Sequence, residues 1–119
     1  MTISKKKIKV GVFGARRGMT MINMLINHPD AELVAICDKA EYLQKRCEKI
    51  AREADLNVTV YSDFDKFFNH DMDAVVLANY ANQHAPYAVK FLLSGRHVLS
   101  EVVPVQTLAE AVTLVEAVE

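Results

Sequence analysis

The chain has 119 residues, 51% of them apolar and 24% charged, a balance that suits one globular domain with its own core. A formal net charge of −1 excludes a global field able to gather nucleic acid or an anionic membrane surface. Two cysteines, Cys37 and Cys47, are too few for a disulfide framework and lack metal-ligand partners at suitable spacing, so no metal site is expected.

Free thiols point to a reducing compartment. No apolar run approaches the roughly 18 residues that span a bilayer, and the basic N-terminus is not followed by an apolar segment with a cleavage site. A cytoplasmic protein is therefore expected. Lys5, Lys6, Lys7 and Lys9 mark residues 1–7 as a flexible basic tail, with a single domain over 8–119.

In chain order, residues 8–13 are rich in β-branched and aromatic side chains and stop at Gly14, which predicts a strand. A helix is expected over 18–27 and ends before His28-Pro29-Asp30, since a residue preceding proline resists the α region. Residues 32–37 form a second strand, closed by Asp38. The next helix, 39–54, carries Leu43, Cys47, Ile50 and Ala54 at the spacing of one buried face. Residues 58–61 are a short strand, and Ser62-Asp63 offers a cap for a short helix over 64–68.

Residues 74–78 form an uninterrupted apolar run, typical of a strand covered on both faces. A helix over 83–93 stops at Ser94-Gly95, where glycine can take the left-handed conformation. Residues 97–100 are a fifth strand. From Thr107 a last helix is expected to carry Leu108, Ala111, Val112, Val115 and Val118 on one face. It runs out at Val118-Glu119 with no stop signal, which predicts a domain cut from a longer chain. Strands alternating with helices imply right-handed crossovers and a doubly wound parallel α/β sheet of the Rossmann type, with helices on both faces.

Ligands of such sheets bind outside the carboxyl ends of the strands. The first strand–helix loop there reads Gly14-Ala15-Arg16-Arg17-Gly18. Its glycines allow a tight turn and let backbone N–H groups approach a pyrophosphate at a helix N-terminus. Against G-x-G-x-x-G, Arg16 holds the middle glycine position and Gly18 arrives one residue early. The Arg16 guanidinium could compensate as a bidentate phosphate clamp; a tight turn with merely solvated arginines is the alternative. Asp38 ends the second strand, where a carboxylate accepts hydrogen bonds from adenosine ribose hydroxyls and repels a 2′-phosphate. That favours NAD over NADP, although Lys39 and the two arginines oppose the repulsion. Asp38 could also cap the following helix, and the two roles are compatible.

Several stretches together resemble the N-terminal domain of the Gfo/Idh/MocA oxidoreductases. They are 10–15, His28-Pro29 with 32–38, 78–86, 95–101, and the helix start at 107–111. The resemblance implies hydride transfer between a nicotinamide and a carbon of a sugar, polyol or related compound. It also implies a second, mostly β-sheet domain that holds the small-molecule substrate and mediates homo-oligomerisation.

Gly14 and Asp38 match the family's pyrophosphate-loop and ribose positions. The family's T-P-N-x-x-H segment becomes Asn79-Tyr80-Ala81-Asn82-Gln83-His84, in which only the histidine matches. Asn79 can still hydrogen-bond a cofactor, while His84 either faces a ligand or packs its helix. In the E-K-P motif, Glu101 matches, Pro104 comes one residue late, and valine replaces the lysine in Glu101-Val102-Val103-Pro104. Valine cannot transfer a proton. Candidate cofactor contacts are thus Gly14, Ala15, Arg16, Arg17, Gly18, Asp38, Asn79, His84 and Glu101, with no catalytic residue assigned.

Two functional readings follow. One is the cofactor domain of an NAD-dependent oxidoreductase. The other is a non-catalytic member of the same family that senses a nucleotide or sugar. A flavodoxin-like receiver finds no support, since the third strand ends at Tyr61 without an acceptor aspartate and the fifth strand has no lysine.

Overall fold

The computed structural model describes residues 7–78, 84–100 and 108–119. In chain order the elements are β1 (Ile8–Phe13), α1 (Met19–Ile26), β2 (Ala31–Cys37), α2 (Glu41–Glu53) and β3 (Thr59–Tyr61). They continue with α3 (Phe64–Phe68), β4 (Ala74–Leu77), α4 (His84–Leu93), β5 (His97–Ser100) and α5 (Leu108–Val118). The expected basic tail falls almost wholly outside the described residues.

The strands form one sheet in the order β3-β2-β1-β4-β5, and every pairing is parallel. Alternation along the strands splits the core in two. Val10, Val12 and Val76 point to one face, where Ile22 and Leu25 of α1 and Leu43 and Cys47 of α2 cover them. Phe13, Val75 and Leu77 point to the other face, against Phe67 of α3 and Ala88 and Phe91 of α4. Helices therefore cover both faces, which accounts for the apolar, non-alternating sequence of β4.

One irregularity interrupts the register. Val10 pairs with Leu33, but Gly11 pairs with Ala35, so Val34 is an extra residue in β2. This bulge sends Val34 and Ala35 to the same core cluster.

Element ends follow local chemistry. The Asp63 carboxylate caps α3 by accepting the Asp65 N–H at 3.2 Å. At the end of α4, Gly95 takes φ 86°. Its N–H donates to the Leu92 carbonyl and that of Arg96 to the Phe91 carbonyl, the paired bonds of a Schellman motif.

The last helix departs from expectation. α5 rests on α4 and the second cluster through Leu114, with Ala111 and Ala117 half-buried beside it. Leu108, Val112, Val115 and Val118 lie outward, Leu108 being 82% and Val115 55% exposed. The apolar stripe read from spacing is thus only partly the packed one. Both stripes are apolar, so periodicity alone could not choose between them.

Candidate functional site

The pairing Phe13↔Cys37 and Phe13↔Leu77 brings the carboxyl ends of β1, β2 and β4 level with one another. Gly14, Asp38 and Ala78 therefore emerge side by side. Each continues the sheet by one bond: Gly14 N–H to the Cys37 carbonyl (2.9 Å), Asp38 N–H to that of Tyr61 (3.0 Å), and Ala78 N–H to that of Phe13 (2.8 Å). Above this row lies a groove of about 820 Å³, within the usual range of ligand sites, roughly 300–1,000 Å³.

The loop 14–18 forms one wall. Gly14 has φ 97°, a conformation that L side chains rarely adopt, and this turns the chain sharply off β1. Gly18 then donates to the Gly14 carbonyl at 3.1 Å. A Cβ on Gly18 would lie 2.4 Å from that same oxygen and 2.7 Å from Val12 Cγ1. The loop is one residue shorter than G-x-G-x-x-G, yet its two glycines perform the turn and the close helix–strand packing that the longer motif requires.

The remaining loop residues divide in two. Ala15 is fully buried among core residues and does not line the groove. Arg16 and Arg17 are exposed on the groove wall, and their N–H groups have no partner among the described residues. Those are the unsatisfied donors expected where a loop enters a helix N-terminus.

Asp38 stands at the centre of the site. Its Oδ2 accepts the Ala15 N–H and its Oδ1 the Ala40 N–H, each at 2.8 Å. Its carbonyl accepts Gln44 Nε2 at 2.7 Å. The expected capping role is corrected by this geometry. The N-cap of α2 is Ala40, and Asp38 instead closes an Asx turn two residues earlier. That turn is why α2 starts at Glu41 rather than at Lys39. Each carboxylate oxygen has engaged one amide, and a carboxylate offers about four acceptor positions, so capacity remains for hydroxyl donors.

Sequence reasoning missed the aromatic part of the groove. Phe13 and Tyr87 line it beside Ala78, their rings 4.8 Å apart and edge-on, with Phe64 at 5.0 Å from Phe13 and 4.6 Å from Tyr87. Tyr42, in the first turn of α2, lines the opposite side and is 64% exposed. The available signal was an aromatic four residues after Asp38, beside Leu43 but off the Leu43–Cys47 face that the helix buries.

Cys37 also touches the groove, but it is 1% exposed. Burial, reinforced by the neighbouring Asp38 charge, pushes its thiol up to about 12, so it acts as a small apolar residue. His97 lies exposed on β5 and is tied to the sheet by its backbone. Asn79 and Glu101 lie outside the described residues, as do Val102, Val103 and Pro104. His84 opens α4, but its side chain lies outside them too. Among the described residues no three His, Cys, Asp or Glu side chains cluster as metal ligands, and no helix is long and apolar enough to cross a membrane.

A family model described as an oxidoreductase family with an NAD-binding Rossmann fold matches residues 8–119. The chain is 28% identical to a "Glycosyl hydrolase family 109 protein" of Shewanella sp. (strain W3-18-1), over 94% of this chain and 26% of that protein. Among solved structures, the WlbA dehydrogenase from Bordetella pertussis in complex with NADH and UDP-GlcNAcA is 28% identical with a TM-score of 0.78. That match covers 95% of this chain and 34% of WlbA. The apo scyllo-inositol dehydrogenase from Lactobacillus casei shares the fold at TM-score 0.83 and 23% identity, over 98% of this chain and 34% of that one. The chain thus spans about a quarter of the curated relative and about a third of the solved chains. With the five-stranded parallel sheet and the matched residues 8–119, it belongs to the Gfo/Idh/MocA oxidoreductase family as an NAD-binding Rossmann domain.

Proposed function

We propose that this chain binds a nicotinamide dinucleotide, NAD in preference to NADP, for an oxidoreductase acting on a sugar, polyol or related compound. The observation that carries this is the placement of the Gly14–Gly18 turn against Asp38 at the carboxyl ends of adjacent strands. The groove suits such a ligand chemically. It offers N–H groups with no partner among the described residues and guanidinium groups for the diphosphate, a carboxylate with spare acceptor positions for a ribose, and aromatic side chains for the rings. The sugar class is supported by the UDP-GlcNAcA of WlbA, at 28% identity.

Within that reading each residue has a task. Gly14 brings the backbone close to the diphosphate, and Gly18 lets the helix start pack tightly beneath it. Arg16 and Arg17 supply positive charge there, and Asp38 accepts ribose hydroxyls. Bound nicotinamide would supply the hydride acceptor or donor. Valine in place of the lysine of E-K-P leaves proton transfer to a group outside this motif.

The valine pair also favours a second reading, a family member that binds nucleotide or sugar without turnover. Calorimetry of this chain and of the full-length protein with NADH at millimolar concentration tests the first part, and absence of heat from both would sink it. Dehydrogenase activity of the full-length protein on any polyol would exclude the second reading.

A further inference from the structure

We infer that Asp38 is a positioning residue for the diphosphate as well as a partner of the ribose, because its carboxylate holds the phosphate loop in shape. This rests on the dinucleotide reading above. Three bonds that do not involve the loop fix Asp38 in place. Its N–H donates to the Tyr61 carbonyl of β3, its carbonyl accepts Gln44 of α2, and its Oδ1 accepts the Ala40 N–H. The remaining oxygen, Oδ2, reaches across 23 residues to the Ala15 N–H at 2.8 Å. Asp38 is therefore anchored by β3 and α2, and the loop is fastened to it.

The loop needs such a fastening. Ala15 is fully buried, and a buried N–H without an acceptor is strongly disfavoured. Ala15 also lies between the left-handed Gly14 and the exposed Arg16 and Arg17. Its position decides where the next two N–H groups stand on the groove wall. Releasing the Ala15 N–H would let this short turn relax, and the diphosphate would lose a preorganised partner. A role confined to the ribose makes the opposite claim, that Asp38 matters only to ligands carrying the 2′- and 3′-hydroxyls.

The test compares ADP with 2′,3′-dideoxy-ADP, which keeps the diphosphate and lacks both hydroxyls. Affinities are measured by calorimetry on the full chain, on Asp38→Ala and on Asp38→Asn, with circular dichroism reporting that each variant is folded. Asparagine has one oxygen and can hold Ala15 or Ala40, but not both. The inference expects Asp38→Ala, which removes the acceptor of the Ala15 N–H, to bind 2′,3′-dideoxy-ADP about tenfold more weakly than the unmodified chain, the scale of one hydrogen bond to a charged group, and Asp38→Asn to lose less. Unchanged affinity of Asp38→Ala for 2′,3′-dideoxy-ADP, with weakened ADP, would overturn it and leave a ribose role alone. If the unmodified chain binds neither ADP nor NADH, the dinucleotide reading falls first. A measurement on the unmodified chain needs no variant: hydrogen exchange of the ligand-free protein should find the Ala15 amide protected, and exchange at the rate of an open loop would also overturn the inference.

Discussion

Gly18 sits so close beneath Gly14 that any Cβ at position 18 would come within 2.4 Å of the Gly14 carbonyl oxygen. The obstacle is backbone, so it cannot rotate away. Gly18 itself has φ −76°, which every residue tolerates. Gly95 is the reverse case, with φ 86° and nothing within 4 Å of an added Cβ. The two glycines are therefore required for different physical reasons.

Substitution should separate them. Gly18→Ala is expected to destabilise by about 1–3 kcal/mol through overpacking, and Gly18→Asn at least as much. Gly95→Ala should cost about 1 kcal/mol through its backbone conformation, and Gly95→Asn less, because asparagine tolerates that region. Urea unfolding midpoints of the four variants check this. A Gly18→Asn variant more stable than Gly18→Ala would contradict the contact argument.

The two thiols should be silent below pH 9 and destabilising above it. Burial raises Cys37 from 9.0 to about 12 and Cys47 to about 11. Below pH 9 the folded and unfolded chains hold the same protons, so these groups contribute no pH dependence. From pH 9 to about 11 or 12 the unfolded chain releases protons that the folded chain keeps, and stability falls as pH rises. A Cys37→Ala/Cys47→Ala variant should show a shallower fall over that window, read from urea midpoints at pH 8, 9 and 10.5. A thiol reagent at pH 8 should modify neither residue until urea is added.

Much of this fold was legible because each element carried its own signal. Gly95 marked a helix end, Asp63 a cap, and the unbroken 74–78 run a strand covered twice. What stayed hidden depended on long-range geometry. No local pattern says that Asp38 hydrogen-bonds Ala15 rather than capping α2, or that Tyr42 and Tyr87 meet one groove from different helices. The Val34 bulge was hidden for the same reason, since it exists only in the pairing with β1.

The outward stripe of α5 yields a prediction of its own. Val115 is 55% exposed, whereas Leu114 packs against the second core cluster. In this chain Val115→Glu should shift stability by less than about 0.5 kcal/mol. Leu114→Ala should cost roughly 1–2 kcal/mol, below the range for a fully buried leucine because Leu114 is half-buried. Thermal melts of the two variants decide it. Equal losses would mean that α5 packs through the stripe that spacing first suggested.

Cofactor preference should be set by opposing charges on one wall of the groove. Asp38 presents a carboxylate that repels a 2′-phosphate, while Arg16, Arg17 and Lys39 line the same groove and attract it. Removing the carboxylate and removing a cation should therefore move the NADH-to-NADPH affinity ratio in opposite directions. Asp38→Ala is expected to weaken both ligands through the loosened loop, yet to narrow the ratio toward one. Lys39→Ala should leave NADH nearly unchanged and weaken NADPH by about threefold to tenfold, an effect that shrinks at high salt because the site is open to solvent. The ratio, measured by calorimetry at two ionic strengths, isolates the charge effect from any general loss of binding. If Asp38→Ala leaves the ratio where it was, discrimination does not come from this carboxylate, and the preference for NAD loses its physical basis.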